Sequence, residues 1–274
     1  MGTVRFKSFS SGSSGNCYFL GLFSDPEPGR RARCEAGILI DAGVSLRRVG
    51  RALQADGLSC EDFSAILLTH DHMDHIRSLG SFCKKLHKSV WATEALHGAL
   101  SHHFAVGEWI APCRRVLPEG WSEIVPGRIR VRWFEVPHDA SQTVGFAILL
   151  DGFKYVHITD CGRMTREALD WCSQADTITL ESNYDPDMLR CGPYPLRLQE
   201  RIRGGSGHLS NQECAEALRA TAHEGLRQVF LCHLSEHNNT PELSLEASAP
   251  CVGNARLTAL DRLVPSHLVI LQEN

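Results

Sequence analysis

The sequence predicts an α/β fold in which two sheets are flanked by helices. Three observations carry that expectation. Short apolar and β-branched runs occur in both halves of the chain, segments of helical period lie between them, and no linker, repeat or charge block divides the 274 residues. Hydrophobic residues make up 43% and charged residues 22%, a globular balance that excludes a disordered or fibrous chain. The formal charge is −4, from 28 Lys and Arg against 32 Asp and Glu, which argues against retention on nucleic acid by an overall basic surface and leaves room for a local basic groove.

Residues 4–9 and 17–23 read as strands joined by Ser10-Ser11-Gly12-Ser13-Ser14-Gly15-Asn16, whose Gly and Ser suit a hairpin connection. Residues 24–36, with Pro26, Pro28, Gly29, Arg30, Arg31 and Arg33, have no apolar period and read as an exposed loop. A buried strand follows at 37–41, ending in Asp41-Ala42-Gly43. Residues 44–58 place Val44, Leu46, Val49, Leu53 and Leu58 near helical spacing, with Gly57 where a helix ends. Another buried strand is expected at 63–68. Later strands are expected at 89–92, 129–135, 143–150, 155–159, 177–180, 228–232 and 267–271, and helices at 74–85, 93–100, 166–174, 196–202 and 211–223.

No apolar run approaches the roughly 20 residues of a membrane span, and residues 1–10 hold no leader-like apolar segment, so a cytoplasmic chain is expected. Eleven cysteines, an odd count without a Cys-x-x-Cys pair, agree with thiols kept reduced.

The chemistry concentrates in Thr69-His70-Asp71-His72-Met73-Asp74-His75, which follows a buried strand and precedes an amphipathic segment. A strand end turning outward presents His70 and His72 to one point, and Asp74 and His75 at a helix start face a second point beside it. Imidazole with carboxylate suits Zn²⁺, Mn²⁺ or Fe²⁺. His138, Asp160 and His233 repeat the placement, each after a strand-like stretch, and strand carboxyl ends are where open α/β sheets place their sites. Asp41 is a candidate to accept the outer N–H of a ligand imidazole, with a plain Asp-x-Gly turn as the alternative. The 10–16 hairpin is a candidate source of amide donors to a phosphate, with an ordinary turn as its alternative.

The Thr-His-x-His-x-Asp-His spacing at 69–75 resembles the metallo-β-lactamase superfold. Within it, the bacterial YycJ/WalJ group is resembled over residues 5 to about 245 by Ser11-Gly12-Ser13-Ser14-Gly15-Asn16, Pro137-His138-Asp139-Ala140, Glu181-Ser182-Asn183-Tyr184-Asp185, Gly192-Pro193-Tyr194-Pro195, Gly207-His208-Leu209-Ser210-Asn211 and His233-Leu234-Ser235 with Asn238-Asn239-Thr240-Pro241. The resemblance implies a four-layer αββα sandwich of two mixed sheets flanked by helices, forming one hydrolase domain over residues 1–274. It also implies two divalent metal ions, Zn or Mn with Fe as a further option, the first on His70, His72 and His138 and the second on Asp74, His75 and His233, with Asp160 bridging. Such a pair, about 3.5–4 Å apart, shares a hydroxide, lowers its pKa from 15.7 towards ~7 and clamps the attacking and leaving oxygens. The implied activity is a phosphodiesterase on nucleic acid, a 5′ to 3′ DNA exonuclease. Two departures stand out: the 24–36 loop is longer and more basic than that group suggests, and His237 occupies a usually acidic position.

Three features favour a phosphate substrate. The second cation has a full His and Asp set. His208 is surplus to the seven ligands and lies in a loop that opens a helix, where it can protonate a departing alkoxide, with a simple helix cap as the alternative. By resemblance to tRNA 3′-processing nucleases, Glu181 is its partner, so Asp74, Glu181 and His208 are the catalytic candidates. Finally, Arg190, Arg197, Arg201 and Arg203 beside Tyr194 suit a groove that tracks a nucleic-acid backbone. Ser210, Asn211, Arg201 and Asn238 are the substrate-binding candidates. His87, His97, His102, His103, His157, His223, His237 and His267 receive no role. Two other readings stay open: a small cyclic phosphodiester or thioester as substrate, and a non-catalytic module that keeps metal for stability. No membrane partner is expected.

Overall fold

A computed structural model describes residues 2–24 and 32–272. Residues 25–31, which hold most of the expected basic loop, lie outside the described residues.

The first sheet has the order β14-β1-β2-β3-β4-β5-β6, with β1 Thr3–Ser10, β2 Cys17–Phe23, β3 Cys34–Ile40, β4 Ala65–Leu67, β5 Ser89–Ala92, β6 Arg114–Val116 and β14 Val269–Gln272. The second runs β13-β12-β11-β10-β9-β8-β7, with β7 Ser122–Val125, β8 Ile129–Glu135, β9 Val144–Leu150, β10 Phe153–Ile158, β11 Thr177–Glu181, β12 Gln228–Cys232 and β13 Arg256–Ala259. Both sheets are mixed. β3 to β6 are parallel, as are β10 to β13, whereas β1 to β3 and β7 to β10 pair antiparallel.

The layers follow from which faces are apolar. Strand β2, Cys-Tyr-Phe-Leu-Gly-Leu-Phe, is buried at every position, as a strand covered on both faces must be. Phe6, Tyr18, Phe146, Tyr155 and Phe230 fill the space between the sheets, and Phe6 stacks on Phe230 with ring centroids 4.4 Å apart. The outer face of the first sheet is covered by α1 (Leu46–Ala55), α2 (Met73–Ile76), α3 (Leu79–Leu86), α4 (Glu94–Ser101) and α5 (Gly107–Ile110), through residues such as Val49, Leu53, Phe82 and Leu96. Over the second sheet lie α6 (Arg166–Cys172), α9 (Asn211–Thr221) and α10 (Pro241–Ser248), with Ala168, Cys172 and Leu218 packed on Ile158, Ile178 and Val229. Two more helices, α7 (Pro186–Cys191) and α8 (Leu196–Arg203), form a satellite cluster through Leu189 and Ile202. The result is the four-layer αββα sandwich.

Helix starts follow the sequence: the side chains of Ser45, Thr93, Thr165, Ser210 and Thr240 each accept a first-turn amide, as N-caps do. Several expectations need correction. The helix expected at 74–85 is two helices. The carbonyl of Asp74 accepts the Asn16 amide at 2.7 Å, and the Ser78 amide turns instead to the carbonyl of Ala42, so the i to i−4 ladder breaks at Ser78. The strand expected from residue 37 begins at Cys34, because Cys34 and Ala36 pair with Phe23 and Leu22. Helices α5, α7 and α10 and strands β6, β7 and β13 have no counterpart among the expected elements. The three strands are short or lie at sheet edges. All eleven cysteines are unpaired thiols, as expected.

Candidate metal-dependent active site

The polar residues that the sequence singles out leave one edge of the sandwich, at the carboxyl ends of β4, β8, β10, β11 and β12. Asp41, Asp160 and His233 have φ of 61°, 50° and 56°, left-handed backbone one or two residues past the ends of β3, β10 and β12. For a residue with a side chain this costs about 1–2 kcal/mol, and it persists where surrounding bonds dictate it. Here the amide of Thr69 bonds the Asp41 carboxylate at 2.9 Å, the His233 amide bonds Ser11 Oγ at 2.9 Å, and Thr159 Oγ1 bonds the Asp160 carboxylate at 2.9 Å.

Two groups of donors result. Ring nitrogens of His70, His72 and His138 lie within 4.8 Å of one another, and so do the ligand atoms of Asp74, His75 and His233. Asp160 lies between the groups, with Oδ2 3.1 Å from His75 Nε2 and Oδ1 3.5 Å from His138 Nε2 and 3.6 Å from His233 Nε2. Four of the five imidazoles are oriented from behind. His75 Nδ1 is 2.7 Å from Asp41 Oδ2, His70 Nδ1 is 3.0 Å from Thr69 Oγ1, His138 Nδ1 donates to the carbonyl of Gly207 at 2.7 Å, and His233 Nδ1 is 3.0 Å from Glu181 Oε1. Outer partners of this kind fix the tautomer, leaving the other nitrogen to face a cation.

The electrostatics ask for positive charge. Burial would raise the Asp74 and Asp160 carboxyls, but neighbouring His75 and His233 hold both well below the usual range. Burial would lower His233, but Asp160 and hydrogen bonds to Asp74 and Glu181 push it up to about 10. His75 is raised in the same way against its burial, by Asp41, Asp160 and Asp74. Burial, reinforced by His75, keeps His70 well below its ordinary value, and its buried Nε2 has no hydrogen-bond partner. An orphaned imidazole nitrogen aimed into a cluster of ionised carboxylates fits a divalent cation.

Beside the cluster, His208 Nδ1 is 2.8 Å from Glu181 Oε1, and Glu181 Oε2 accepts the amides of Cys161 and Leu209 at 2.8 and 3.1 Å. Burial opposes protonation of His208, and Glu181 outweighs it, raising the imidazole above its ordinary value.

The substrate-binding candidates divide. Arg201 is exposed at the rim, where it is ion-paired with Asp139, the residue after His138. Asn211 is buried, and its side-chain amide bonds Ser182 and Asn239. Ser210 spends its hydroxyl on a capping box with Glu213. Asn238 is buried, and its amide nitrogen reaches Ser235. The side-chain polar atoms of Ser210 and Asn211 and the amide nitrogen of Asn238 thus bond within the chain, whereas Asn238 Oδ1 is buried without a hydrogen-bond partner. Arg190 is likewise paired with Asp187, and His237 packs edge-on against Tyr194. Two positioning residues were missed. Asn16 donates to Asp74 Oδ2 at 3.1 Å and lies 2.8 Å from His75 Nε2, and Asn183 Nδ2 lies 3.2 Å from His233 Nδ1. The Gly-Ser run around Asn16 reads as a turn, which hides its reach of 58 residues along the chain.

Comparison with known proteins agrees with this geometry. The sequence profile of the beta-lactamase superfamily domain matches residues 37–234. The chain is 31% identical over 240 residues to the exodeoxyribonuclease WalJ of Streptococcus pneumoniae, covering 88% of this chain and 85% of that one. It is also 31% identical over 241 residues to the exodeoxyribonuclease YycJ of Bacillus anthracis, covering 88% and 86%. Among solved structures, the metallo-β-lactamase fold protein YhfI of Bacillus subtilis superposes with a TM-score of 0.66 at 13% identity, covering 96% of this chain and 99% of that one, a likeness of fold. The chain thus belongs to the β-lactamase superfamily of hydrolases and, within it, to the bacterial WalJ/YycJ group. It is an enzyme of that class. No helix among the described residues is long and apolar enough to cross a membrane.

Proposed function

We propose that the chain is a dinuclear metal-dependent phosphodiesterase that degrades nucleic acid, a cytoplasmic 5′ to 3′ DNA exonuclease. The observation that carries this reading is the Glu181–His208 pair, 2.8 Å apart, beside His and Asp groups whose donor atoms lie within 4.8 Å of one another. Hydrolysis of a thioester expels a thiolate and needs no strong proton donor, whereas a phosphodiester in nucleic acid expels an alkoxide and does. The names of the relatives favour DNA, and unpaired cysteines suit a reducing compartment.

His70, His72 and His138 would hold one cation, Asp74, His75 and His233 a second, and Asp160 would touch both. A bound pair supplies a water ionised near neutral pH and positive charge for the phosphoryl oxygens. The chain's own groups do the rest. Asp41, Thr69 and Asn16 lock His70, His75 and Asp74 in place, so that little reorganisation accompanies reaction. Glu181 fixes Nδ1 of His208 and favours its protonated form, leaving Nε2 to pass a proton to the departing oxygen. Arg201 at the rim adds positive charge within reach of a bound backbone.

Incubation of the metal-loaded protein with 5′-phosphorylated duplex DNA, a small aryl diester and a thioester in parallel tests the reading. Nucleotides are expected from the DNA, with release abolished by EDTA and by Asp74→Ala. Turnover of the small diester or thioester with none of the DNA would refute it.

A further inference from the structure

Helix α1 carries a charge arrangement that its own stability disfavours. Arg47, Arg48 and Arg51 are exposed on one face, and the first turn contains no acidic residue. Cations there meet the positive end of the helix dipole, and Arg47 with Arg51 is a like-charge i, i+4 pair. Nothing among the described residues compensates. Asp56, at the far end of the helix, is taken by Lys7 at 2.7 Å, and Arg48 donates only to the carbonyl of Leu263. Among the described residues the three arginines form no ion pair. Asp261, exposed near Leu263, accepts the amides of Leu263 and Val264. Arg190 and Arg201 on the other side of the site do hold carboxylates.

The stripe is continuous with the site. Exposed Arg77, two residues past His75, donates to the carbonyl of Ser14 at 3.1 Å. Ser13 and Ser14 are the exposed tip of the hairpin whose Asn16 bonds Asp74, and the amide of Gly43 bonds the carbonyl of Asn16 at 2.9 Å, two residues before the cap Ser45. The amino end of α1 therefore stands at the rim of the cluster.

We infer that Arg47, Arg48, Arg51 and Arg77 form a seat for the phosphate backbone of duplex DNA, which aligns the strand end with the cluster. The inference rests on the nuclease reading and extends it to how the substrate is held. A net charge of −4 means that attraction must be local, and this face supplies it. No aromatic side chain belongs to the patch, so it lacks the platform on which unpaired bases stack, and a rigid helix presents its charges at fixed spacing to a regular backbone.

Anisotropy of a fluorescent, phosphorothioate-linked duplex, which binds without being cleaved, tests this over a range of NaCl concentrations. The triple variant Arg47→Gln, Arg48→Gln, Arg51→Gln is expected to bind at least about ten-fold more weakly at low salt and to lower the log–log salt slope by about 2–3, close to 0.9 per lost phosphate contact. The control Lys85→Gln, Arg219→Gln, Arg256→Gln makes the same charge change on other exposed surfaces and is expected to match wild type. The thermal midpoint of the first variant is expected to be no lower than that of wild type, because repulsion has been removed. Equal slopes for the two variants would overturn the proposal, and so would a loss confined to single-stranded oligonucleotides. If wild type binds duplex through this face yet releases no nucleotide from ordinary DNA, the nuclease reading fails and the docking surface stands.

Discussion

Glu181 shows how much one side chain is asked to do. Fully buried at the end of β11, it faces His208 and His233 with one oxygen and accepts two amides with the other. Burial would raise its carboxyl, and the charge and hydrogen bond of His208, with that of His233, keep it ionised. If His208 serves as the general acid, its removal should cost most where the leaving group is most basic. His208→Ala is expected to lower kcat on a nucleoside diester with an alkoxide leaving group by about 10²–10⁴, and on the p-nitrophenyl ester of a nucleotide by much less. Steady-state kinetics on the two esters checks this; equal losses would reduce His208 to a positioning residue. At this scale the sequence was informative where chemistry is dense, as in residues 69–75, and silent where a common residue acts at long range. Asn16 and Asn183 are asparagines in turn-like contexts, and only the fold reveals that they hold Asp74 and His233.

Among the elements, strand ends and their exits decide the site. The left-handed backbone at Asp41, Asp160 and His233 has no sequence signature, because none of the three is glycine and the bonds that impose it come from other segments. The break between α2 and α3 was hidden for the same reason. Residues 74–85 carry an uninterrupted helical pattern, and what ends α2 is Asn16 capturing the Asp74 carbonyl. Gly43 makes that contact possible. A Cβ there would lie 1.6 Å from the carbonyl oxygen of Asp74. Gly43→Ala is therefore expected to destabilise the protein by about 1–3 kcal/mol, as overpacking does, and to lower its metal content by displacing Asp74 and His75. Urea unfolding and elemental analysis together test this; a variant of wild-type stability with full metal content would show that α2 can shift without consequence.

For the whole molecule, the order of elements was legible because both sheets use buried apolar strands, and the αββα layers follow once each face is covered. Edge strands β6, β7 and β13 were not legible, being short and partly exposed. The convergence itself could be expected from the repeated placement at strand ends and from the resemblance; spacing along the chain alone does not show that His70, His138 and His233 meet. The sandwich brings them together by aligning five strand ends on one edge, and the price is a pocket of carboxylates and unpaired imidazole nitrogen that a cation would relieve. Ligand binding to the folded state alone raises its stability, so loss of metal should also lower the thermal midpoint. The most direct test is metal analysis of the purified protein, with anomalous scattering to locate the ions. Two equivalents of divalent metal per chain are expected, one bounded by His70, His72 and His138 and the other by Asp74, His75 and His233, with Asp160 at both. A single ion, or a pair bound away from these side chains, would contradict the account.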